Sequence, residues 1–237
     1  MTLLHPPSSV SVLFTRADSC YIDLDTDCWD MKRDARNYSG SNPVVAHPPC
    51  RGWGRLRHWA KPRPDEKALG LFAVDIVRKN GGVLEHPYGS TLWGAAGLPK
   101  PGFEPDAWGG WTLLVEQGWW GHAAPKPTYL YIVGVTRAQV GELPVQLHRA
   151  AGRTLELSAA DRERTPPEFA KFLLHVASMA VTPTAAGPVT PDQKSGSYTE
   201  LDNSCYTRRP QVSNTEPAKT AAEKRAAFKA WAATRSM

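Results

Sequence analysis

The segment that most constrains this chain is an amphipathic stretch over residues 65–79, set between two short apolar runs. Leu69, Phe72, Ala73 and Ile76 recur at i, i+3, i+4 and i+7, the spacing of one apolar helix face. Pro64, Asp65 and Glu66 suit the positive end of a helix, and Arg78 and Lys79 suit its negative end. Asn80, Gly81 and Gly82 supply the stop. Before the helix, residues 43–46 read as a strand that must end at His47, Pro48, Pro49 and Cys50, because proline cannot extend a central ladder. After it, Val83 and Leu84 read as a second strand, closed by Pro87. Strand, helix and strand in so short a span predict a βαβ unit with parallel strands and a right-handed crossover.

Ligands of open parallel sheets bind outside the carboxyl ends of the strands. Cys50 follows the first strand of the unit and Glu85 ends the second, so a thiol and a carboxylate 35 positions apart are expected to face one crevice. Around this unit, residues 10–14 read as a short buried strand and residues 15–42 as polar and irregular, with a short helix over 29–36. Residues 88–110, rich in glycine and proline, read as a long loop of the kind that is more often functional than accidental. Residues 112–120 and 128–135 read as two later strands. Thr165, Pro166, Pro167 and Glu168 form a capping-box pattern that opens a helix near 166–180, with Phe169, Phe172, Leu173 and Val176 inward. The expected architecture is α/β: a single Rossmann-like domain over residues 8–182, with a mainly parallel sheet and late antiparallel strands. Residues 183–237 read as a flexible basic tail with a terminal amphipathic segment over 220–234.

The 28 basic residues outweigh 23 acidic ones, a net charge of +5 that favours a polyanionic partner such as nucleic acid. The start of the chain lacks the pattern of a secretion signal, and no apolar run is long enough for a membrane span. The expectation is a cytoplasmic protein with reduced thiols and no membrane partner. His47, Cys50 and His58 match no common zinc spacing, and Asp23, Asp25 and Asp27 lack the glycine and distal glutamate of a calcium loop, so no metal is expected. Residues 51–63 interleave Arg51, Arg55, Arg57, Lys61 and Arg63 with Trp53 and Trp59, a composition suited to phosphate contact and base stacking. Trp93, Trp108, Trp119 and Trp120 are read as either crevice or core residues, with core favoured for at least half of the set.

A thiol and a carboxyl group together fit one chemistry well. Addition of a thiolate to C6 of a pyrimidine places electron density at C5, which then attacks an electrophilic carbon; an acid at N3 stabilises the adduct. The order of motifs resembles the DNA cytosine-5 methyltransferase family, in particular compact phage-type members. Pro48, Pro49 and Cys50 are similar to its nucleophile turn, and Glu85, His86 and Pro87 to its glutamate strand end. Residues 117–133 are similar to its later antiparallel strands, and Arg164 to Glu168 to a helix start of the family. The resemblance implies Cys50 as nucleophile and Glu85 as the group at N3. Arg51, Arg55, Arg57, His86, Gln117 and Lys126 become substrate or nucleic-acid contacts, DNA the partner, and phage or prophage the origin. It also implies S-adenosylmethionine, held near Phe14, Asp18 and Ser19. That cofactor loop departs from the family pattern, because residues 13–20 contain no glycine. Arginines of the later strands and a target-recognition domain are missing too. The rival expectations are an enzyme of free pyrimidine nucleotides and a catalytically degenerate relative that binds DNA or a protein partner.

Overall fold

The computed structural model describes residues 10–146 and 156–183. These fall within one compact unit, residues 1–190; the terminal segment and tail expected from the sequence lie outside the described residues. No helix among the described residues is long and apolar enough to cross a membrane.

Six strands form one mixed sheet: β1 (Ser11–Leu13), β2 (Asp27–Trp29), β3 (Val44–Ala46), β4 (Gly82–Pro87), β5 (Trp111–Glu116) and β6 (Pro127–Val133), ordered β2-β1-β3-β4-β6-β5. The first four are mutually parallel, whereas β6 runs antiparallel to both β4 and β5. β3, helix α1 (Glu66–Asn80) and β4 form the expected βαβ unit, with Ala46 beside Leu84 in register.

The sheet is covered on both faces, so strand residues alternate between two cores. Val12, Val45, Val83, Leu130 and Ile132 pack with helix α5 (Pro167–Ser178), through Phe169, Leu173 and Val176. Leu13, Val44, Ala46, Leu84, Tyr131 and Val133 pack with Ala73, Val74 and Val77 of α1. This alternation decides which way each residue past a strand end points.

Several local expectations change. The buried stripe of α1 is Leu69, Gly70, Ala73, Val74 and Val77, leaving Phe72 and Ile76 half-buried, because helix α1 lies against the sheet along a slightly rotated face. Phe172 of α5 is likewise half-buried. Residues 27–29 pair with β1 instead of staying irregular, and only residues 35–37 of the following stretch are helical, as a 3₁₀ turn. β5 ends at Glu116 and the next four residues form a 3₁₀ turn. The capping box at Thr165 does not form: α5 starts behind Pro166 without a side-chain cap.

The glycine- and proline-rich stretch 88–110 contains helix α2 (Leu92–Ala95) and serves packing, and a short helix α3 (Arg137–Val140) follows β6. Arg78 donates to the carbonyl of Ala96, and Tyr131 donates to Asp106 at 2.6 Å, which ties this stretch to α1 and β6. Trp93 is buried against Tyr129, and Trp108 stacks on Arg78 at 3.8 Å, so neither lines the crevice.

Candidate functional site

β1, β3 and β4 all release their chains at one edge of the sheet; β5 ends there too, and β6 enters there because its Thr128 pairs with Pro87. A cavity of about 590 Å³ opens at this edge, lined by Cys50, Glu85, His47 and Lys126. Tyr21 and the segment around helix α4 (Ala159–Glu163) complete its wall. The expected convergence of Cys50 and Glu85 is therefore present: both line this one cavity.

Glu85 continues the Val83 side of β4 and meets the residue that follows β3. His47 Nδ1 lies 3.0 Å from Glu85 Oε2, and the Gln117 amide donates to Glu85 Oε1 at 3.0 Å. Burial opposes ionisation of Glu85, but the hydrogen bond and charge of His47 and the nearby Lys126 outweigh it, holding the carboxyl at about 2. Glu85 is thus a carboxylate in the resting site. An ionised carboxylate only accepts, so His47 donates through Nδ1, and in the neutral imidazole Nε2 is the nitrogen that accepts. The Tyr21 hydroxyl, 2.9 Å from Nε2, is the donor it meets. Gln117 itself is fully buried and also reaches Thr128 at 3.0 Å, so it orients Glu85 and does not line the cavity.

The Cys50 thiol is half-buried and pushed up to about 11, first by burial and then by the negative charge of Glu85. Lys126 opposes this shift. Burial lowers Lys126 itself, while Glu85 and Cys50 favour its charge. Its ammonium donates to the Arg164 carbonyl at 3.1 Å, which ties the α4–α5 connection to the cavity. Cys50, Glu85 and Lys126 form one electrostatic unit: sulfur, carboxylate and cation.

The other expected residues divide by location. Arg51 lines the cavity, but its guanidinium binds the fully buried carboxylate of Glu66, which also pairs with Arg63. Leaving that buried charge alone would be costly, so Arg51 is tied to Glu66. Arg55 is exposed on the turn after Cys50 and Arg57 is half-buried, donating weakly to the Gly54 carbonyl at 3.4 Å. Trp59 stands 82% exposed beside them, an unusual position for so large an apolar ring. His86 has the opposite parity to Glu85, so it points to the α1 face, fully buried near Trp93 and outside the cavity lining. Burial lowers it to about 4, which keeps it neutral.

Phe14, Asp18 and Ser19 do line the cavity. Phe14 takes φ +63°, a left-handed conformation that favours glycine, at the end of β1. Its ring packs edge-on to Phe72, and Asp18 is held by Arg16 at 2.9 Å. A loop with a phenyl ring in the tight turn and its carboxylate already paired does not fit the glycine cradle of S-adenosylmethionine. No group of three or more His, Cys, Asp or Glu among the described residues is arranged to hold a metal.

Sequence reading missed Tyr21 and treated His47 only as a weak zinc candidate. The available signal was position: His47 is the first residue past β3, beside the segment of β4 that carries Glu85. Comparison with known families, with characterised proteins and with solved structures finds no match to this chain. The functional reading therefore rests on these side chains.

Proposed function

We propose that this protein covalently modifies C5 of a pyrimidine, with cytosine in DNA as the substrate. One observation carries the reading: Cys50 and Glu85, delivered by neighbouring parallel strands, line the same cavity and feel each other's charge. The parallel β1, β3 and β4 followed by antiparallel β6 agree with the methyltransferase-like order that the motifs imply.

The resting chemistry modifies the role of Glu85. As a carboxylate it acts as an acceptor, and its spare lone pairs suit the 4-amino group of cytosine while Gln117 and His47 keep theirs. Uracil and thymine present an oxygen at that place and are repelled, which gives selectivity for cytosine. Cys50 adds to C6 as a thiolate beside the Lys126 ammonium, and C5 then attacks an electrophilic alkyl donor, whose carbon–leaving-group bond breaks as the leaving group departs with the electron pair. Because the β1 loop does not fit S-adenosylmethionine, no step is assigned to that cofactor.

DNA as carrier of the base is supported by the turn after Cys50. Arg55, Arg57 and Lys61 flank the exposed Trp59 in the chain, and no acidic residue occurs within residues 51–63. Cations fix a phosphate backbone, and an indole stacks on a base or fills the gap of an extruded one.

The test is mass spectrometry of nucleosides from DNA of cells expressing wild type or Cys50→Ser. A modified cytosine in the first alone is the expected result; identical nucleosides in both would refute the proposal. Filter binding distinguishes the free-nucleotide alternative, for which duplex DNA would show no salt-dependent affinity.

A further inference from the structure

Removal of the C5 proton is the step that must regenerate the aromatic pyrimidine, and it requires a base near the ring. The candidates on the cavity wall are few. Cys50 is the nucleophile and Lys126 is tied to backbone carbonyls. Glu85 accepts from His47 and Gln117 and faces the 4-amino group, Asp18 and Glu163 are paired with Arg16, and Asp23 stands at the exposed rim. Both nitrogens of His47 are committed, one to Glu85 and one to Tyr21.

Tyr21 differs from all of these. Its ring is buried, 1% exposed, yet it lines the cavity, and its ring centroid lies 5.4 Å from that of His47. Its hydroxyl faces an imidazole nitrogen that receives its proton when the ring is neutral, and the opposite nitrogen of that imidazole is backed by a carboxylate. This is the hydroxyl–histidine–carboxylate logic of the catalytic triad with a phenol in the hydroxyl position. Gln117 and Thr128 extend the chain behind Glu85 and fix its orientation.

We infer that Tyr21, His47 and Glu85 form a proton relay that removes the C5 hydrogen of the pyrimidine adduct. The inference rests on the cytosine-modifying reading of the same cavity. In the step, the C5–H bond breaks and its electrons form the C5–C6 double bond, expelling Cys50 from C6 as thiolate. The C5 proton passes to the Tyr21 oxygen as the proton of Tyr21 passes to His47 Nε2. The resulting imidazolium is balanced by the Glu85 carboxylate. Tyr21 is the catalytic base, and His47 and Glu85 act through it.

The relay run in both directions exchanges the C5 hydrogen with solvent without any alkyl donor, so tritium release from a duplex oligonucleotide carrying [5-³H]cytosine reads it directly. Wild type, Cys50→Ser, Tyr21→Phe and His47→Gln are compared at equal folded concentration, with oligonucleotide affinity measured alongside. The expected result is release by wild type and none by Cys50→Ser. Tyr21→Phe and His47→Gln are expected to be slower by about 100-fold at unchanged affinity, the usual scale of general-base catalysis. Full-rate release by Tyr21→Phe, with Cys50→Ser still inactive, would overturn the relay and leave the nucleophile reading standing. Absence of release from wild type, or equal release by Cys50→Ser, would overturn the reading of the cavity and the relay with it.

Discussion

Alkylation of Cys50 by iodoacetamide, followed peptide by peptide in a mass spectrometer, measures whether the nucleophile is charged before substrate arrives. Burial and Glu85 raise this thiol from 9.0 to about 11. At about pH 8 a two-unit rise lowers the thiolate fraction ~100-fold relative to an unperturbed cysteine. The more basic thiolate is intrinsically more nucleophilic, and a Brønsted slope of about 0.4–0.5 returns ~6–10-fold of that loss. The expected net rate is ~10–15-fold below that of an unstructured cysteine peptide, with an inflection at about 11 in the pH–rate profile. Lys126→Met removes the one cation that lowers Cys50, so its inflection moves higher still. At neutral pH the thiolate is therefore scarce in the resting site, and a ligand that shifts the balance from Glu85 towards Lys126 raises its fraction. An inflection near that of a free thiol, or a rate above that of the control peptide, would refute this reasoning.

Four further outcomes follow from named residues. His86 is lowered from 6.5 to about 4 by burial, so the unfolded chain binds its proton first. Its contribution is intact above about pH 6.5 and lost as pH falls towards about 4, some 3 kcal/mol in all; His86→Leu should flatten that part of a urea-denaturation pH profile, and an unchanged slope would refute the assignment. Gly82 sits at φ +116°, and a Cβ there would collide with the Val44 carbonyl across the β3–β4 pairing. Gly82→Ala should therefore cost about 2 kcal/mol or more, read as a fall in the urea midpoint. On the turn after Cys50, Arg55→Ala should reduce the slope of log K against log salt for duplex binding by about 1. Trp59→Ala should weaken binding by about 1–3 kcal/mol, seen by fluorescence titration; a Trp59→Ala variant with wild-type affinity would remove the stacking argument.

Much of the fold was legible because its signals are local. Apolar spacing, helix-end charges and glycine stops belong to contiguous residues, and they located β3, α1 and β4 to within a few positions. Parallel pairing of β3 and β4 then follows from the length of the connection, and with it the approach of Cys50 to Glu85. Short elements were less legible. β2 has three residues and gains its hydrogen-bonding partner only from β1, and the Thr165 capping pattern lost to the start of α5 behind Pro166.

Backbone propensity and hydrophobic period act over neighbouring residues, so the βαβ unit and a cysteine past its first strand are readable from the chain, whereas Glu85 lies within β4, which runs on to Pro87. Only the tertiary structure decided what each charged group does. Arg51 was paired with the buried carboxylate of Glu66, and strand parity turned Glu85 into the cavity but His86 into the core. Tyr21 and His47, 26 positions apart, became partners because β1 and β3 end side by side. Charge state depends on desolvation and on partners distant in the chain, and a linear pattern carries neither.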